Sequence, residues 1–185
     1  MIDDYRKDAA DRIKEDLPPL PLTAKQTAEL ITLLKSPNIK DPEILMDLFC
    51  HRIPSGVDQA AYIKAAYLTD VAKGIEISSL ISPKFAVELL GTMVGGYNVQ
   101  SLISLLDSEL ADDVVKVLSH IILIFDSFHD VSEKVKSGNK AAMKVMESWA
   151  NGDWFLKKPA LSEEIKALVF KVDGETNTDD LSPAQ

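Results

Sequence analysis

The residues from Ser82 to Phe125 constrain this chain most, because they carry three apolar stripes in succession with a break between each. Phe85, Ala86, Leu89, Leu90 and Met93 fall on one face at helical spacing, and Val99, Leu102, Ile103 and Leu106 repeat the pattern. Ala111, Val114, Val115, Leu118, Ile121, Ile122 and Phe125 carry it over a third stretch, which predicts a helix running to Phe125. Ser82 before Pro83 reads as an N-cap with proline at the first helical position. Gly95-Gly96 breaks the chain, and Asn98 reads as the cap of the next helix. No helix of this kind buries its stripe alone, so the unit demands neighbours on both sides.

The flanking residues supply them. Residues 3–17 predict an amphipathic helix with Tyr5, Ala9, Ile13 and Leu17 on its inner face, stopped by LPPLPL at 17–22. Thr23 caps a helix to about Lys35, with Thr27, Leu30, Ile31 and Leu34 inward. Asp41-Pro42 opens the next around Leu45, Leu48 and Phe49, and Asp58 starts a longer one to Lys73 lined by Ala61, Ala65, Leu68 and Ala72. Gly74 closes it. After the central unit come a helix from about Ser127 to Lys136 and another from the Asn139 cap, with Ala142, Val145, Met146 and Trp149 inward. The starts recur: Asp41 to Ser82 is 41 residues, Asp58 to Asn98 is 40 and Asn98 to Asn139 is 41. A period of about 40 residues built of two antiparallel helices is that of HEAT-type arrays.

The expected fold is therefore all-α, a HEAT-like solenoid of helical pairs over residues 1–158. Residues 159–185 differ. Val169, Phe170 and Val172 favour a strand, Asp173-Gly174 a turn, and the polar residues after Gly174 are expected to lack order by themselves. A single strand without a partner is not stable, so this segment reads as a linker and the incomplete start of a swivel-type α/β domain.

Chemistry is sparse. The longest apolar run, Ile121–Phe125, is far short of the ~20 residues a membrane span requires. The charged N-terminus has no apolar signal region, and the expectation is a cytoplasmic protein. Cys50 is the only cysteine, read as a small buried hydrophobe beside Phe49 ahead of a reactive thiol. A thiolate-held iron–sulfur cluster cannot be built from this chain alone. The net charge of −9 disfavours phosphate contacts along nucleic acid, though a local patch stays open.

No Walker loop, GxGxxG, HExxH or GxSxG occurs. Gly91–Gly96 reads as a helix–helix corner rather than a phosphate loop, since it ends a helix and follows no strand. His120 is placed within an apolar helix, as a core or interface histidine before a ligand. Asp126, His129 and Asp130 could form a surface hydrogen-bond network or hold a metal weakly, with no third partner visible for the latter. Lys134, Lys136 and Lys140 make a solvated helix end or a small phosphate patch. Trp149, Trp154 and Phe155 close the core or form an aromatic partner site. Tyr97, Asn98, His129 and Trp154 are the candidates for an interaction surface, and no catalytic, cofactor-binding or metal residue is assigned.

Four segments in order carry a resemblance that spans essentially the whole chain: LLGTMVGGYN (89–98), LSHIILIFDSFHDV (118–131), MESWANGDWFLKKPAL (146–161) and VFKVDGETNTDDLSPA (169–184). Together they resemble the N-terminal region of the bacterial aconitase B family. The resemblance implies a HEAT-like helical domain followed by a mobile swivel domain and then by domains holding a [4Fe–4S] cluster. Thr178-Asp179-Asp180-Leu181-Ser182-Pro183-Ala184 looks like the superfamily's TDHISPA-type signature, with Asp180 where other branches often carry histidine. It places Thr178, Asp179, Asp180 and Ser182 near the substrate cleft of the full enzyme. That enzyme is implied to interconvert citrate and isocitrate through cis-aconitate, with the open iron of the cluster as Lewis acid. None of the reacting groups can be assigned to residues 1–185.

The expectation is thus a non-catalytic domain for association, with itself, with metabolic enzymes and with the remaining aconitase domains. The concave face of a helical array suits such binding. Two alternatives are an RNA-binding module of the cluster-free enzyme, which the resemblance suggests and the charge disfavours, and a free-standing helical adaptor.

Overall fold

Side-chain caps and glycines set seven of the helix ends. In the computed structural model, which describes residues 2–36, 38–156, 164–167 and 174, the regular elements are all helices and no strand occurs among the described residues. They are α1 (Ile2–Lys14), α2 (Ala24–Leu34), α3 (Pro42–His51), α4 (Gln59–Ala72) and α5 (Pro83–Gly91), then α6 (Val99–Leu105), α7 (Ala111–Leu118), α8 (Ser127–Lys136), α9 (Lys140–Ala150) and the single turn α10 (Asp153–Leu156). Thr23 and Gln26 form a reciprocal capping box at α2. Asp58, Ser82 and Asn139 each accept a backbone N–H of the first turn of α4, α5 and α9. Gly74, Gly138 and Gly152 follow the ends of α4, α8 and α9 with positive φ.

Packing runs along the chain: α2 lies on α4, α4 on α5, α5 on α7 and α7 on α9, while α6 bridges α7 and α8. One continuous core threads these layers, and Phe49, Leu68, Leu90, Leu102 and Leu118 are fully enclosed in it. Close contact of α5 with α7 uses Gly91, where a Cβ would stand 2.3 Å from Cγ1 of Val117. The stripes expected for α2, α3, α4 and α6 are all buried.

Four expectations need correction. The helix expected to reach Phe125 ends at Leu118, so His120 lies in an exposed turn rather than within a helix, and Ile122 and Phe125 face solvent. β-Branched Ile121, Ile122 and Ile124 lose side-chain freedom in a helix, and the break buries Ile124 instead. Phe125, at φ 46°, reverses the chain into α8. The first helix stops at Lys14, leaving Ile13 and Leu17 exposed, while Tyr5 is anchored by its hydroxyl donating to the Leu20 carbonyl (3.0 Å). Neither Asp41 nor Asn98 caps through its side chain: Asp41 is left-handed, and Asn98 is already helical. Trp154 and Phe155 lie on α10, which packs on α9 but leaves Phe155 and Leu156 largely exposed. The strand expected around Val169–Val172, and the order of the tail after Gly174, lie outside the described residues.

Candidate interaction surface

Two loops meet where the chain turns from α5 into α6. A Cβ on Gly95 would stand 2.3 Å from the Gly56 carbonyl carbon, so the two backbones touch in a way only glycine permits. Gly95 has φ 94° and Gly56 φ 82°. Tyr97 seals this contact: its hydroxyl donates to the Val57 carbonyl (3.1 Å), and its ring meets Tyr62 edge-on at 5.4 Å. Asn98 is 1% exposed, and Nδ2 donates to the carbonyls of Leu90 (2.7 Å) and Met93 (3.2 Å). It therefore pairs the Met93 carbonyl and adds a second bond to the Leu90 carbonyl, which already takes the Met93 N–H (3.2 Å), and so serves the helix behind it rather than the one ahead. A groove of about 270 Å3 opens beside this corner, lined by Met93, Val94, Asn98, His120, Ile122 and Leu123 among others.

On α8, His129 is exposed and its ring lies 6.0 Å from that of Phe128, which stacks on Trp149 at 6.2 Å. The Asp130 carboxylate accepts from Nε2 of Gln100 (2.6 Å), and the same nitrogen reaches the Ser127 hydroxyl (3.0 Å). Asp130 thus ties α8 to α6, and Asp126 meets His129 through its backbone carbonyl (3.0 Å). Among the described residues no group of three or more His, Cys, Asp or Glu is arranged to hold a metal ion.

Of Lys134, Lys136 and Lys140, only Lys134 is engaged by a carboxylate among the described residues. Lys134 pairs with Asp107, and Nδ2 of Asn139 donates to Asp107 (2.6 Å) and to the Leu106 carbonyl (3.0 Å). These hydrogen bonds, that from Lys134 foremost, hold the Asp107 carboxyl below its ordinary range. Lys144 pairs with Asp112 (2.9 Å), while Lys116 (2.9 Å) and Lys84 (3.5 Å) flank Asp113.

The candidate residues do not converge on one site. Tyr97 and Asn98 share the α5–α6 corner, His129 sits on α8, and Trp154 sits on α10 with its ring 5.6 Å from that of Phe155. Thr178, Asp179, Asp180 and Ser182 lie outside the described residues. Lys64 is the residue that sequence reasoning missed. It is 6% exposed on the inner face of α4, with Nζ 5.2 Å from the Phe49 ring, and burial pushes its pKa down. The available signal was its position, three residues after Ala61 on the same apolar stripe. Burial likewise raises the neighbouring Cys50 thiol, which makes it a poor nucleophile.

The family profile described as the aconitate B N-terminal domain matches residues 4–155. Proteins named aconitate hydratase B are 54% identical over 185 residues in Salmonella typhimurium, 51% over 185 in Pseudomonas aeruginosa and 43% over 190 in Helicobacter pylori. Each alignment covers 100% of this chain but only 21–22% of the relative, so the chain spans about a fifth of the length of the curated proteins it matches.

Proposed function

This chain belongs to the aconitate B N-terminal domain family, and on that premise we propose that it is the non-catalytic interaction domain of an aconitate hydratase. The full enzyme would interconvert citrate and isocitrate through cis-aconitate, in the cytoplasm. The observation that carries this reading is the alignment of the entire chain, at 54% identity, with about a fifth of aconitate hydratase B.

The family implies an iron–sulfur cluster, and these residues do not fit it. One cysteine is present, where such clusters are ordinarily held by several thiolates. Cys50 is half-buried with its thiol pushed up, which disfavours the thiolate a metal requires. The cluster is assigned to the remaining four-fifths of the enzyme, and no catalytic step is derived from this chain.

What the domain contributes is a stable helical body. The succession of α2, α4, α5, α7 and α9, each packed on the next, supports a HEAT-like array in which every layer buries the stripe of its neighbour. The RNA-binding alternative draws little support from the net charge of −9, and Lys134 of the candidate patch is engaged by Asp107, which leaves Lys136 and Lys140 without a carboxylate among the described residues.

The experiment is to purify the 185-residue chain without iron and compare it with the full-length protein. The chain should show a helical spectrum and one cooperative unfolding transition, with no turnover of cis-aconitate. The full-length protein, loaded with its cluster, should turn it over. A chain that folds only after cluster loading would overturn the proposal.

A further inference from the structure

The segment from Ile121 to Phe125 turns three apolar side chains to solvent while Ile124 enters the core. Ile122, Leu123 and Phe125 are 41%, 73% and 82% exposed, and Phe128 follows at 42%. Its backbone is equally unspent. It belongs to no helix, and the N–H groups of Ile122 and Leu123 and the carbonyls of Ile121, Ile122 and Leu123 find no partner among the described residues. Apolar side chains beside free donors and acceptors are what an incoming strand-like segment pairs with. Beside it lies the groove of about 270 Å3 floored by Gly91 and Asn98.

The described helices end beside this patch. Helices α8 and α9 form an antiparallel hairpin, so the start of α8 and the end of α9 lie at the same end of it. The stack of Phe128, in the first turn of α8, on Trp149, in the last turn of α9, fixes that end. The unspent segment runs directly into α8, and α10 with the exposed Phe155 and Leu156 runs directly out of α9. The last described helix thus ends at the same end of the hairpin as the apolar patch, and about four-fifths of the relatives' length lies outside the part that this chain matches.

We propose that Ile121–Phe125 and the adjoining groove are the docking seat for an extended apolar segment of the same polypeptide from beyond residue 185. This rests on the reading of the chain as one domain of a longer aconitate hydratase. The incoming segment pairs its backbone with Ile122 and Leu123 and lays side chains over Leu123, Phe125 and Val94.

Hydrogen exchange of the full-length protein against the 185-residue chain tests this. The amides of Ile122 and Leu123 should exchange about tenfold or more slowly in the full-length protein and freely in the shorter chain. Leu123→Asp, at an exposed position, should restore fast exchange there while the amides of α5 and α7 keep their protection. Equal exchange in both lengths would overturn the inference. So would protection that arises in the short chain only as its concentration rises, which would mean that a second copy occupies the seat. Turnover of cis-aconitate by the same full-length sample keeps the two claims apart. Turnover without protection sinks the docking seat alone, and protection without turnover supports the seat while sinking the aconitase assignment.

Discussion

Asn98 donates to Leu90, eight residues earlier, across a 2.7 Å hydrogen bond that is wholly buried. With the second bond to the Met93 carbonyl (3.2 Å), one side-chain amide closes the end of α5 and fixes the loop that carries Gly95. The Leu90 carbonyl also accepts the Met93 N–H (3.2 Å), so Asn98→Ala should strand the Met93 carbonyl alone and lower stability by about 1–3 kcal/mol. Urea unfolding would read this as a lower midpoint at unchanged slope. An unaltered midpoint would show that water replaces the amide.

Gly95 and Gly96 share a φ of 94° but not their surroundings. Alanine at Gly96 meets open space and suffers only the left-handed backbone penalty, about 1–2 kcal/mol. Alanine at Gly95 adds a Cβ 2.3 Å from the Gly56 backbone, which cannot step aside as a flexible side chain could. Thermal unfolding should rank Gly95→Ala clearly below Gly96→Ala, with Tyr97 losing its hold on Val57 only in the former. Equal midpoints would contradict the close approach.

Lys64 has no carboxylate partner among the described residues, and burial depresses its pKa from the ordinary 10.5. Between the lowered folded value and 10.5 the unfolded chain binds more protons than the folded one, so this group makes stability rise with pH in that window. Lys64→Met should stabilise the protein most at neutral pH and below, with an advantage that shrinks as pH approaches 10. The lost contact with the Phe49 ring, about 0.5–2 kcal/mol, offsets part of the gain. Urea titrations of both proteins at several pH values would reveal the convergence.

Much of this was legible because caps are local. Thr23, Asp58, Ser82 and Asn139 announce their helices within three residues, and those four ends fall where the sequence puts them. The role of Asn98 was not legible, since it depends on carbonyls of a preceding helix. The end of α7 was hidden for a different reason. The apolar period continues through Ile121 and Ile122, and only tertiary packing decides that Ile124 enters the core while Phe125 turns out. The candidate surface was read in part: Tyr97 and Asn98 do share a corner, but what joins them, the contact of Gly56 with Gly95, spans two loops far apart in sequence.

Asp107 draws α8 and the start of α9 onto the α6–α7 corner through Lys134 and Asn139. Its carboxyl is held below the usual range, so the stability it adds is present above the unfolded pKa of about 3.9 and is lost as pH falls through the lower folded value. The site is exposed, and Asp107→Ala should cost no more than about 1 kcal/mol at pH 7, less in high salt. Denaturation at pH 7 and pH 2, with and without about 1 M salt, where the screening length is about 3 Å, would separate the charge from the cap.

The most direct test of the account is turnover of cis-aconitate by the 185-residue chain beside the full-length protein, both after the same cluster-loading treatment. The account predicts activity in the full-length protein and none in the chain, which stays helical and folded throughout. Turnover by the chain itself would contradict it, because it would place the catalytic groups within these residues.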